Sequence, residues 1–295
     1  LVLLEDPVYP GVWVQARPLG VLYMHDEAGE DAKIICVPPR EPRWQDVHDL
    51  ADLTPQLVEE IQHFFEVYKA LEPGKYTVIL EPAASAGLIS FMMFGFDARQ
   101  ADEGRSFLTK KGGGNKIGEQ VFDPRVSIHS DPWDVDVPVM PWDGEGLPRE
   151  KMPIIDKGKV SYLEYSRYWA KQKGKEAKGS PGNLIMSGGT KSTMDLVKGT
   201  AKGILVTRTW YIRMVDPQTV LLTGLTRDGT FYIENGEIKY PIKNFRFNES
   251  PVIMLNNVEE LGKPVRVGDD ESPFLMMIPP MKLRDFTFTS LSDAV

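Results

Sequence analysis

The chain is organised around Glu81-Pro82-Ala83-Ala84-Ser85-Ala86-Gly87-Leu88-Ile89-Ser90-Phe91-Met92-Met93-Phe94-Gly95-Phe96. It follows a strand-like run, Tyr76-Thr77-Val78-Ile79-Leu80. Pro82 suits the first helical position, where its missing N–H costs nothing. Small residues fill the first turn, and from Leu88 onward the segment is apolar nearly all round. A helix without a polar stripe belongs inside a core. At roughly 1.5–3 kcal/mol per large side chain removed from water, such a helix anchors its domain.

Upstream, the chain reads as short strands followed by one helix. Residues 12–16 and 21–24 are apolar runs bounded by Pro-Gly and Pro-Leu-Gly turns. An acidic turn, 26–31, leads into the strand 33–37, which carries Cys36, the chain's one cysteine. A single cysteine excludes an internal disulfide and suits a reducing, cytoplasmic setting. On a strand it reads as a small core residue. Thr54-Pro55 supplies a helix cap and a first-position proline. Leu57, Val58, Ile61, Phe64, Phe65 and Tyr68 then recur at three and four, one apolar face for a sheet.

Downstream, the basic Gly-rich loop 110–116 lacks the Gly-Lys-Ser/Thr ending of a phosphate-binding loop and reads as a plain connection. Residues 126–129 alternate as a strand, with His129 a structural or surface histidine, and 131–141 form a Pro- and Asp-rich connector. A Lys-Gly turn joins 152–156 to 159–163 as a hairpin. Residues 166–171 read as a short helix whose scattered positive charges form a solvated face. Ser192 and Asp195 have capping-box spacing, predicting a helix that ends near Gly203. From Ile204 a strand-rich meander follows, with turns predicted at Arg227-Asp228-Gly229 and Glu234-Asn235-Gly236. A helix is predicted over 250–261 and a final strand over 281–290.

The charge is uneven. Residues 1–72 carry 14 Asp/Glu against 5 Lys/Arg, a net of −9, whereas the remaining 28 acids face 29 bases, a net of +1. Such a shift at Leu71-Glu72-Pro73-Gly74 marks a junction between unlike pieces, 1–72 and 73–295. The overall charge of −8 argues against nonspecific nucleic-acid binding. No apolar run reaches the roughly 18–20 residues of a membrane span, and no charged-then-apolar leader opens the chain, which begins on Leu rather than Met.

The segments PGKYTVILEPAA (73–84), DARQADEGRSFL (97–108), DGEGLPRE (143–150), YSRYWAKQKGK (165–175), TGLTRDGTFYIENGEI (223–238) and NFRFNESPVIMLNNVEELGKPVRVG (244–268) resemble the C-terminal part of the TldD/PmbA family. These are metallopeptidase-related proteins once called modulators of DNA gyrase. In peptidase-type members the helix after this strand carries His-Glu-x-x-x-His, two zinc ligands and a general base. The resemblance puts those places on Ile89, Ser90 and Phe94, none of which can hold zinc or take a proton as Glu does. A further zinc-binding Cys of the family has no counterpart in 265–280. The resemblance therefore implies a zinc-free subunit of PmbA/TldE type that builds part of a peptide-processing compartment. Zinc and catalysis would come from a TldD-type partner, with self-association the other expected assembly. Arg105, Arg208, Arg227 and Asn235, on loops or strand ends, are the expected peptide contacts, since Arg holds a carboxylate bidentately. Each arginine equally suits a structural ion pair.

The first piece, LVLLEDPVYPGVWVQARPLGVLYMHDEAGEDAKIICVP (1–38) and IQHFFEVYKALEPGK (61–75), resembles the second half of a bacterial soluble inorganic pyrophosphatase. That resemblance implies part of a small OB-like β-barrel with one helix. It matches Asp26 and Asp31 to metal-binding or base carboxylates, a weak magnesium site at most. Lys33, Tyr68 and Lys69 match phosphate contacts. The family's Asp-x-Asp-Pro-x-Asp cluster would lie before Leu1. The whole chain is thus expected to be α+β, a pyrophosphatase-like remnant followed by a strand-rich TldD/PmbA C-terminal domain. A fusion, an assembly artefact and a deliberate chimera all fit the seam at 71–75. Phosphoanhydride hydrolysis and a non-enzymatic scaffold stand as the alternative functions.

Overall fold

The structure, a computed structural model, describes residues 1–4, 13–26, 29–66, 70–268 and 274–292, with backbone alone at 24–26, 29–31 and 62–66. The chain divides into two compact units, Leu1–Lys69 and Ala70–Val295.

In the first unit, β1 (Arg17–Asp26) and β2 (Gly29–Val37) pair antiparallel, from Arg17 opposite Val37 to Asp26 opposite Gly29. α1 (Pro55–Glu66) follows. Leu19, Ile35, Val37, Trp44, Leu53 and Ile61 form its small core. The expected strand over 12–16 is corrected: residues 13–16 are irregular, and Val12 lies outside the described residues. The other edge of β2 is occupied instead by the chain start, with Leu3 N–H donating to Cys36 O at 2.9 Å and Cys36 N–H to Leu1 O at 2.8 Å. Cys36 is half-buried. Leu57 and Val58 pack on this core with Ile61, whereas the side chains of Phe64 and Phe65, and all of Tyr68, lie outside the described residues.

The second unit is strand-rich α+β. In chain order it comprises β3 (Gly74–Leu80), α2 (Pro82–Met93), α3 (Ala98–Asp102), β4 (Ile128–Ser130), β5 (Met152–Asp156), β6 (Lys159–Val160) and α4 (Arg167–Lys173). There follow β7 (Asn183–Met186), α5 (Thr193–Lys198), β8 (Lys202–Asp216), β9 (Leu221–Glu234), β10 (Glu237–Pro241) and β11 (Phe245–Glu249). The unit ends with α6 (Pro251–Asn256), β12 (Val258–Leu261), β13 (Val265–Val267), β14 (Leu275–Ile278) and β15 (Met281–Leu291).

Strands β9, β11, β15, β3 and β8 pair in that order, and β8 pairs back to β9, so the sheet closes into a five-stranded barrel. β10 extends it from β9 and β12 from β15. Closure removes the unpaired edges that invite pairing with other chains. A second sheet runs β13-β14-β7-β4-β5-β6. Val78 and Leu80 face α2 in the main core, while Ile79 faces Leu196 and Val197 of α5. A strand covered on both faces explains the unbroken apolar run 78–80.

The central helix lies where its composition demands. Ten of its twelve residues are buried, Pro82 stands at its N-terminus, and its neighbours are β3 and β8 on one sheet, β13 and β14 on the other, and α6. Thr209 of β8 donates its hydroxyl to Ala84 O at 2.7 Å and fixes the first turn. The helix stops at Met93 and tightens into a 3-10 turn over Phe94–Phe96.

Three expected boundaries are corrected. The helix predicted over 250–261 is α6 followed by β12, because Val258 pairs with Leu283 of β15 and the ladder supersedes further helix. The capping box Ser192/Asp195 is formed, but α5 ends at Lys198 because β8 begins at Lys202, opposite Glu234. Asp228-Gly229 is not a hairpin turn. β9 runs through it with Asp228 at φ 64°, beside a register shift between Val206 and Arg208, so the pair forms a bulge. The turn at Asn235-Gly236 is present, with both residues at positive φ.

Candidate functional site

The places expected to carry zinc in peptidase-type relatives sit on the last turns of α2. Ile89 and Ser90 are fully buried, and Phe94 is 54% exposed just beyond the helix. An isoleucine, a serine and a phenyl ring offer no donor set for zinc, so these residues do not fit the metal. Among the described residues, no group of three or more His, Cys, Asp or Glu is placed to hold a metal ion.

Phe94 instead opens one wall of a cavity of about 400 Å³. Phe96, Asp97, Gln100, Arg149, Tyr162 and Glu164 converge on it from separate stretches of chain. Asp97 caps α3, its Oδ1 accepting from Gln100 N–H at 2.6 Å. Glu164 is pinned beside it by backbone pairing: Glu164 N–H donates to Phe96 O at 2.8 Å, and Ala98 N–H to Glu164 O at 2.9 Å. In this extended stretch Tyr162 and Glu164 face the cavity while Leu163, between them, is buried in the core.

Arg149 is spent on the frame. It donates from Nε to Ser180 O at 2.8 Å and from Nη1 to Met140 O at 3.0 Å and Trp142 O at 2.7 Å. Asp143 staples the same loops, accepting from the amides of Glu145, Leu147 and Ser180. Burial alone would push its carboxyl up, but those three N–H groups outweigh it and hold the group below the usual carboxylate range.

Glu164 is the reverse. Its side chain reaches water through the cavity, yet the surrounding walls raise its carboxyl, and Asp97, Asp143 and Glu145 add to the effect against Arg149. It has no hydrogen-bond or ion-pair partner for its carboxylate among the described residues. The Tyr162 hydroxyl is buried without a partner there, and burial drives its proton affinity up, so it stays a neutral phenol. An open carboxylate and a buried, unpartnered hydroxyl on one cavity wall are what a ligand would satisfy.

The four expected peptide contacts are dispersed, and none lines this cavity. Arg208 and Arg227 are cross-strand partners on β8 and β9, and both reach Asp228, at 3.1 Å and 3.7 Å. Arg227 also stacks 4.6 Å from the Trp210 ring centre. Arg105 pairs with Glu103 at 2.5 Å beyond α3, and Asn235 sits at the β9–β10 turn with its N–H on Ala201 O. Exposed ion pairs of this kind are worth about 0–1 kcal/mol. In the first unit Lys33 is half-buried on β2, opposite Leu22. Asp26 and Asp31 lie in β1 and β2, but their side chains, and all of Tyr68 and Lys69, fall outside the described residues.

Sequence reading passed over Asp97, Tyr162 and Glu164. Asp97 had a local signal, since it stands where a helix cap belongs. Tyr162 and Glu164 had none, because their meaning lies in neighbours distant along the chain.

The family model described as the PmbA/TldA metallopeptidase C-terminal domain matches residues 73–290, and the inorganic pyrophosphatase model matches residues 1–87. Inorganic pyrophosphatase of Leifsonia xyli is 57% identical over 79 residues, which are 27% of this chain and 48% of that protein. That of Sulfolobus acidocaldarius is 48% identical over 81 residues, 27% of this chain and 47% of that protein. The chain thus spans about half the length of these curated relatives. Among solved structures, TldE from Thermococcus kodakarensis superposes with a TM-score of 0.67 at 17% identity, over 90% of this chain and 61% of that one. A candidate modulator of DNA gyrase from Thermotoga maritima gives 0.66 at 22% identity, over 82% and 57%. At such identities the likeness establishes the fold.

Proposed function

Because the chain belongs to the PmbA/TldA metallopeptidase C-terminal domain family through residues 73–290, we propose that it is a zinc-free subunit contributing to proteolysis of peptides. A catalytic TldD-type partner would supply the metal. The observation that carries this proposal is the chemistry at Ile89, Ser90 and Phe94, two buried residues and an exposed ring where a zinc-binding helix needs two imidazoles and a carboxylate. The superposition on TldE lends it support. Arg105, Arg208, Arg227 and Asn235 are retained as peptide contacts, the surface ion pairs of the three arginines being cheap to exchange for a peptide carboxylate. A cytoplasmic setting belongs to the same proposal.

The test is co-expression with a metal-bearing TldD-type relative, followed by co-purification, metal analysis and peptide hydrolysis. The pair is expected to purify together and cleave unfolded peptides, whereas this chain alone is silent. Cleavage by the lone chain with one bound zinc per chain would overturn the proposal.

The 57% identity over 79 residues to an inorganic pyrophosphatase, with that family's model on residues 1–87, favours one second reading, magnesium-dependent hydrolysis of pyrophosphate resting on Asp26, Asp31, Lys33, Tyr68 and Lys69. Phosphate release from pyrophosphate in magnesium checks it, and its absence closes it.

A further inference from the structure

The cavity beside Phe94 has a composition that selects its ligand. Its charged lining is Asp97, Glu164 and Arg149. The guanidinium of Arg149 is distributed over three carbonyl oxygens, and among the described residues no ion pair within 4.0 Å ties it to either carboxylate. The lining therefore carries one net negative charge, and the Nε and Nη1 donors of Arg149 are committed to the frame. A bare metal ion fits poorly, because two carboxylates without a third His, Cys, Asp or Glu nearby make an incomplete shell. Phe94, Phe96, Tyr162 and Phe274 surround the carboxylates with aromatic surface. An organic ammonium gains from both, by ion pairing and by lying over ring faces.

We propose that this cavity receives the free amino terminus of a peptide whose first side chain is aromatic or otherwise large and apolar. The α-ammonium donates to the Glu164 carboxylate and to the unpartnered Tyr162 oxygen. The side chain packs among Phe94, Phe96 and Phe274. This deepens the proposed function, since it rests on peptides being what the subunit handles. It places this chain as the part that reads the amino end while the metal-bearing partner cuts. Arg149 is a positioning residue here, holding the 180–182 segment that forms one wall.

The experiment titrates the purified full chain, without a partner, with L-phenylalaninamide and with N-acetyl-L-phenylalaninamide by calorimetry at pH 7. The free amine is expected to bind at least tenfold more tightly than its neutral acetylated form. Glu164→Gln should lose at least tenfold for the amine, and Tyr162→Phe about threefold, with melting temperatures close to the parent. Affinity for the amine should rise with pH through the elevated titration range of Glu164. Equal binding of the two amides, no binding of either, or undiminished binding by Glu164→Gln would each overturn the inference. The comparison of the two amides on the parent chain holds even if a variant fails to fold. A silent titration together with an active two-subunit complex sinks only this inference. Clear amine binding by the chain, with no co-purification and no peptide cleavage alongside a metal-bearing relative, sinks only the proposed function.

Discussion

Trp169 donates its indole Nε1–H to Asp102 Oδ2 at 2.9 Å, joining α4 to α3 through a side chain only 8% exposed. Asn115 donates to the other oxygen at 2.8 Å, and Lys173 lies at 3.4 Å. Asp102→Ala strands two donors in a half-buried place, so it should cost about 2–3 kcal/mol in urea unfolding at pH 7. Burial raises this carboxyl, but its partners outweigh that and hold it below the ordinary aspartate value of 3.8. A depressed folded value contributes stability above the unfolded one and loses it as pH falls through the folded one. The gap between parent and variant should therefore shrink below pH 3.8.

Glu249 titrates with the opposite sign. It is 4% exposed, and its two oxygens accept from Ser250 N–H at 2.9 Å and Thr287 N–H at 3.0 Å. Burial nonetheless raises its carboxyl above 4.5. The folded chain then holds this proton to higher pH than the unfolded one, so the contribution is full below 4.5 and declines as pH rises through the folded value. Glu249→Ala should cost about 2–4 kcal/mol, and more at pH 5 than at pH 7, which paired unfolding curves will read.

Gly158 is a sharper test of local geometry. Lys157 and Gly158 turn the β5–β6 hairpin at φ 47° and 79°. A Cβ on Gly158 would lie 2.2 Å from Phe122 O and 2.8 Å from Asp123 O, both backbone atoms that cannot swing aside. The left-handed conformation alone costs a side chain about 1–2 kcal/mol. Gly158→Ala should lower the melting temperature by more than that strain explains.

Restoring the family's zinc-helix pattern on α2 should fail. Ile89 and Ser90 are fully buried, so Ile89→His with Ser90→Glu sinks polar groups into a close-packed core, at several kcal/mol. The doubly substituted chain should melt well below the parent and purify without stoichiometric zinc. A stable, zinc-loaded variant would contradict the account of this helix.

How much of this was legible before folding depended on how far each signal reached. Pro82, the Ser192/Asp195 capping box, the Lys157-Gly158 turn and the Asn235-Gly236 turn each act within four residues, and all four are present. Asp228-Gly229 carries the same local chemistry, yet β8 pairs along both sides of it and turns a hairpin signal into a bulge. Residues 257–261 follow a helix and would extend it, but β15 offers Val258 and Leu261 a ladder. In both places a long-range strand partner overrode a short-range preference.

Composition alone indicated the strand-rich α+β class and the burial of α2, and it put no imidazole or carboxylate at Ile89, Ser90 and Phe94, because the residue at a given position is a local fact. Only the tertiary structure decided that β3 and β8–β9 close with β11 and β15 into a barrel, and that Phe94, Asp97, Tyr162 and Glu164 share one cavity. Both depend on which segments meet, and that is settled when apolar surface from across the whole unit is buried at once.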